Sequence, residues 1–148
     1  MSASPPPFDR ADLPRHTRVL PGPVTAAYDA VTDVARWPAW VPNLLEPVIT
    51  KSSDHFLFRA SRDGRIEHHE GTVILRGPTH TFAVQVGEAR LWFRTRPNAA
   101  GTKVDVVLER SAPGSMRLRF SGRRRRARDE QWVEAVLDGL AAHLEPLA

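Results

Sequence analysis

The stretch that most limits how this chain can fold is Arg128 to Pro146, RDEQWVEAVLDGLAAHLEP. Trp132, Val133, Val136, Leu137, Leu140 and Leu144 recur at helical spacing and make one broad apolar face. Asp129 and Glu130 fall in the expected first turn, where carboxylates complement the helix dipole, and Pro146 marks the stop. The spacing predicts a helix of about 17 to 19 residues, longer than the usual three turns. So long an apolar stripe has to be covered. What precedes it reads mostly as short strands, so the expectation is one curved sheet gripping this helix, with a cavity between the two.

The chain ahead of the helix supports that order. Residues 1–14 are proline-rich and polar and read as a flexible arm, leaving 15–148 as a single ligand-binding domain. His16 to Leu20 reads as a strand. Pro23 suits a first helical position, and Val24, Ala27, Tyr28 and Val31 share one side of a short helix. Val34 to Trp40 adds a second short helix interrupted at Pro38. From Leu45 the apolar period drops to about two. Candidate strands follow at Glu46–Ser52, His55–Ser61, Arg65–Leu75, Thr79–Val86, Ala89–Arg96 and Thr102–Arg110, with Asp63-Gly64 the strongest turn signal. Ser111 to Gly122 is an unassigned connection. The predicted class is α+β: a curved antiparallel sheet of about seven strands around a long C-terminal helix, with two short helices after the first strand.

Composition narrows the function classes. With 148 residues the chain can bury a sizeable core, and with no cysteine it has no disulfide framework, thiol nucleophile or thiolate metal site. No apolar run approaches the roughly 20 residues that span a bilayer. MSASPPPFDR lacks the apolar segment of a secretory signal, so a cytoplasmic protein is the expectation. The net charge of +4 is local: seven arginines between Ser115 and Arg128 leave 21 − 7 = 14 positives against 17 acids elsewhere. Arg123 to Arg126 are expected at or just before the first turn of the helix, pointing into solvent. No aromatic residue interleaves with them, so a nucleic-acid partner is disfavoured.

The run Tyr28-Asp29-Ala30-Val31-Thr32-Asp33-Val34-Ala35-Arg36-Trp37-Pro38-Ala39-Trp40 resembles the opening of the START-like (SRPBCC) helix-grip superfamily, which includes bacterial polyketide cyclases. The closing Trp132 to Glu145 stretch looks like the end of the Aha1-type branch. The resemblance covers about residues 15 to 146 and implies a deep apolar pocket, but not one chemistry, since members bind lipids, cyclise or dehydrate polyketides, or assist other proteins. Type II aromatase/cyclases carry a Trp-Thr-Ser-Arg-Arg run that aligns with His69, Glu70, Gly71, Thr72 and Val73. Their pocket-facing Trp, Ser and second Arg are absent here, and with them the basis for a classical aromatase role.

Candidate site residues follow from alternation. On Arg65 to Leu75, Val73 and Leu75 set an inward frame that Glu67 and His69 share. A carboxylate and an imidazole two residues apart on a cavity wall suit general acid/base work; the competing reading is a solvated or structural pair. Ligand-binding candidates are Trp37, Trp40, Phe56, Phe58, Phe82, Val84, Trp92, Arg94, Trp132 and Val136. Trp37 and Trp40 either gate a pocket or plug the core. On Ala89 to Arg96 two frames stay open. One turns Leu91 and Phe93 inward and is favoured, because unpaired buried arginine is rare; the other turns Trp92 and Arg94 onto the ligand. His68, His69, Glu70 and His80 do not converge as metal ligands on strands of this register, so no metal is expected. No phosphate loop or dinucleotide signature is present and no cofactor is implied. The expected partner is a hydrophobic small molecule, polyketide-like or aromatic, that the protein binds and cyclises or dehydrates. A non-catalytic carrier and an Aha1-like interaction module are the alternatives. Monomer and homodimer both stay open.

Overall fold

The computed structural model describes residues 6–77, 79–110 and 117–145, with only the backbone described over 117–123. Strand β1 (Arg15–Leu20) leads to helix α1 (Val24–Thr32) and a short 3-10 helix (Val34–Ala39). Six strands follow: β2 (Leu44–Ser52), β3 (His55–Arg62), β4 (Arg65–Arg76), β5 (Thr81–Val86), β6 (Ala89–Asn98) and β7 (Gly101–Arg110). Helix α2 (Arg117–Leu144) closes the order. The sheet runs β1-β7-β6-β5-β4-β3-β2 with every neighbour antiparallel. The predicted α+β helix-grip architecture is therefore the observed one.

Local chemistry accounts for the meander. Asp63 and Gly64 have φ 50° and 78°, and the flanking Arg62 and Arg65 pair directly. Two successive positive φ values give the turn whose twist matches the strands it joins. Pro23 stands one position earlier than expected, at the cap with φ −78° and ψ 158°, so α1 starts at Val24.

The concave face of the sheet and α2 share the main core. Phe82, Val84, Phe93, Val104 and Val106 meet Val133, Val136, Leu137, Leu140 and Leu144, with Trp37 and Trp40 at one side. At Gly139 an added Cβ would overlap the Trp40 carbonyl oxygen, so the helix lies against this backbone as only glycine allows. A smaller cluster covers the convex face: Phe8, Ala83, Trp92 and Val107, flanked by Leu13 and Leu75. Phe8 is 5% exposed and meets Trp92 edge-on at 6.4 Å. Part of the segment expected as a flexible arm thus lies against the sheet.

Two sequence expectations are corrected. Leu75 does not share the inward frame of Val73. The register passes from Val73↔Val84 to Leu75↔Ala83, so the extra residue Ile74 forms a bulge and turns Leu75 to the convex face. Helix α2 begins at Arg117, and its 28 residues carry the arginine run inside the helix instead of at its start. Arginine is a good helix former, so the run sustains the helix. Arg124, Arg125 and Arg126 are exposed as expected, and so is Arg128, while the Arg123 side chain lies outside the described residues.

Candidate functional site

A cavity of about 660 Å³ opens between the sheet and α2. Its walls come from the 3-10 helix and the segment after it, the β3–β4 hairpin, the β5–β6 turn, the end of β7, and α2. Trp37, Phe58, Val84, Leu91, Leu108 and Trp132 supply its apolar wall. Charged groups also border it: Arg62, Asp63 and Glu67 from the hairpin, Arg110 from β7, and Arg125, Arg128 and Asp129 from α2. An apolar chamber with a few convergent polar groups is the usual form of a small-molecule site.

Alternation on β4 from buried Val73 brings His69 and Glu67 to this chamber. His69 Nε2 and Glu67 Oε1 are 3.8 Å apart, too far for a hydrogen bond. The side chains are 34% and 41% exposed, so the pair is open to water. His69 stacks on its cross-strand partner Phe58 at 5.3 Å, and Phe58 stacks on Phe56 at 5.8 Å. This run of rings sets the plane of the imidazole against the cavity wall.

Trp37 is the hub of the aromatic wall. It meets Trp40, Phe56 and Phe82 edge-on and Phe93 at a tilt, and its Nε1 donates to the Val31 carbonyl at 2.9 Å. That bond and those rings hold its indole in place. Arg110 donates to both oxygens of Asp129 at 2.9 and 3.0 Å, and this pairing raises the Arg110 guanidinium further above its ordinary range.

Of the sequence candidates, Glu67, His69, Trp37, Phe58, Val84 and Trp132 line the cavity. Trp40, Phe56, Phe82 and Val136 pack in the core behind that surface. Trp92 and Arg94 lie on the opposite face, which corrects their assignment to the ligand. The β6 frame puts Leu91 and Phe93 inward. Trp92 packs under Phe8 and donates to Glu109 at 3.2 Å. Arg94 donates to Asp105 at 2.9 Å, with its guanidinium 4.5 Å from the Phe8 ring centre. Sequence reasoning missed Leu108, Arg110 and the cavity-side arginines of α2. Alternation from Val104 and Val106 was the available signal for Leu108 and Arg110. Among the described residues no group of three metal-ligating side chains converges, and no helix is long and apolar enough to cross a membrane.

The fold is shared with several solved proteins. TTHA0849 from Thermus thermophilus superimposes with a TM-score of 0.74 at 14% identity, covering 90% of this chain and 97% of that one. The ZhuI aromatase/cyclase from Streptomyces sp. R1128 gives 0.67 at 13% identity, over 88% of this chain and 92% of that one. The di-domain aromatase/cyclase StfQ of the steffimycin biosynthetic pathway gives 0.68 at 12% identity, over 89% of this chain and 50% of that one. None of the curated proteins matches in sequence. At these identities the superpositions speak for the fold, whereas a sequence model of one family matches residues 20–145 and so spans nearly the whole sheet-and-helix unit. The chain belongs to the polyketide cyclase/dehydrase and lipid transport family.

Proposed function

We propose that the protein binds a polyketide-like or aromatic molecule in this cavity and catalyses its cyclisation or dehydration without a cofactor. The observation that carries the reading is the placement of Glu67 and His69 on the wall of an aromatic-lined chamber. The apolar wall holds a flexible chain folded, so the reacting carbons stay close. The Glu67 carboxylate takes a proton from a methylene between carbonyls. The resulting carbanion closes on a carbonyl carbon of the same molecule, and the His69 imidazolium gives its proton to the new alkoxide. Loss of that hydroxyl with a neighbouring proton then releases water.

Titration with an aromatic polyketide tests the binding half. Trp37 and Trp132 line the cavity, so their emission changes as the chamber fills. Unchanged emission at saturating ligand overturns the reading. A second reading, a carrier without turnover, draws on the exposure of Glu67 and His69 and their 3.8 Å separation. Product formation by the wild-type protein separates the two.

A further inference from the structure

The cavity bears charge unevenly. Arg125, Arg128 and Trp132 lie three and four residues apart on α2 and all face the chamber. One face of the helix therefore runs from cation to aromatic ring along the cavity wall. Two of the neighbouring cations, Arg110 and Arg126, are already engaged. Arg110 is held at two points by Asp129. Arg126 pairs with Glu130 at 3.1 Å and donates to the carbonyls of Ala11 and Asp12. Arg125 and Arg128 have no hydrogen bond or ion pair among the described residues. The other charged groups at the cavity are Arg62, Asp63 and Glu67 from the hairpin. With two carboxylates against one guanidinium the hairpin side is net negative, which leaves α2 as the favourable wall for an anion.

Taking the cavity as a ligand site, as proposed above, we infer that its ligand is an amphiphile with an anionic end, a carboxylate or a phosphate monoester, bound by Arg125 and Arg128. Guanidinium forks suit both anions, and an apolar body continuing past Trp132 satisfies the rest of the wall. Both arginines are exposed, so their pull is screened by salt and acts on encounter as well as affinity.

The test uses the full chain and three probes with one ring system: 9-anthracenecarboxylate, 9-anthracenylmethyl phosphate and 9-anthracenemethanol. Energy transfer from tryptophan reports binding. The expected result is about tenfold tighter binding of an anion than of the alcohol at low salt, with the gap narrowing as salt rises. In the double variant Arg125→Gln/Arg128→Gln the gap closes to within about twofold while the alcohol still binds. Whichever anion binds tighter tells a free acid from a phosphorylated ligand. Equal binding of all three by the wild type overturns this inference and leaves the cavity reading in place. A preference that persists in the variant places the anion elsewhere and also overturns it. If no probe binds, the cavity reading fails and takes this inference with it. A thermal melt of the variant confirms that it folds.

Discussion

Arg110, the last residue of β7, grips Asp129 of α2 through two hydrogen bonds of 2.9 and 3.0 Å beside the cavity. Asp129 is 8% exposed, so little water can take the place of that partner. Arg110→Gln leaves the carboxylate largely desolvated and without its cation. The expected cost is about 1–3 kcal/mol, below the figure for a fully buried pair because Arg110 itself reaches solvent. Asp129→Asn costs less, because it removes the buried charge together with the pair. Urea melts of the two single variants and the double variant measure the coupling; additive effects would mean that the pair holds nothing together.

Asp105 gives the fold an acid-sensitive point on the opposite face. Burial pushes its carboxyl up, but the Thr17 hydroxyl and the Arg94 and Arg96 guanidiniums outweigh burial and hold it below the usual carboxylate range. A depressed folded-state value means stability that is present above the unfolded value of about 3.9 and is lost as pH falls through the folded one. Asp105→Asn is expected to lower stability near neutral pH and to flatten its decline below about pH 4. Parallel denaturant curves for wild type and variant across that range would contradict the assignment.

Much of this was legible from residue order, and the gaps have physical causes. The apolar stripe from Trp132 to Leu144 and the switch to a period of two imply a sheet around a helix, and Val73 suffices to turn Glu67 and His69 inward. Leu91-Trp92-Phe93 is apolar on both faces, so alternation alone cannot orient it; the cover that Phe8 provides for Trp92 comes from over eighty residues away. The bulge at Ile74 breaks the period within one residue and leaves no compositional mark. The first turns of α2 carry no apolar stripe, which is why the spacing predicts a shorter helix than the one that forms. The Arg110–Asp129 pair joins separate elements across the 111–128 stretch, and no local pattern announces such a contact.

Gly139 predicts an inverted helix rule. Gly→Ala inside a helix ordinarily stabilises by about 0.5–1 kcal/mol. Here the new methyl would overlap the Trp40 carbonyl oxygen, a backbone atom that cannot rotate away. Gly139→Ala is therefore expected to destabilise by about 1–3 kcal/mol, the usual range for overpacking. It should also move the Trp40 end of the 3-10 helix, read as a change in tryptophan emission. A higher melting temperature for the alanine variant would show that α2 does not lie this close.

The catalytic proposal stands or falls on Glu67 and His69. Both face the cavity from one strand, and neither packs in the core, so Glu67→Gln and His69→Gln should fold as the wild type does. General acid/base roles predict kcat falls of about 10²-fold or more for each, with ligand affinity within about twofold. Because the two act in one proton relay, the double variant should lose little beyond the worse single one. Phe58→Leu provides the contrast. It removes the ring that His69 stacks on, so it should loosen the imidazole and lower kcat less than loss of the imidazole itself. Turnover that survives both single variants unchanged would assign the chemistry to other groups. Affinity and turnover falling together by the same factor would make the pair part of the ligand's grip, and the catalytic roles would have to be withdrawn.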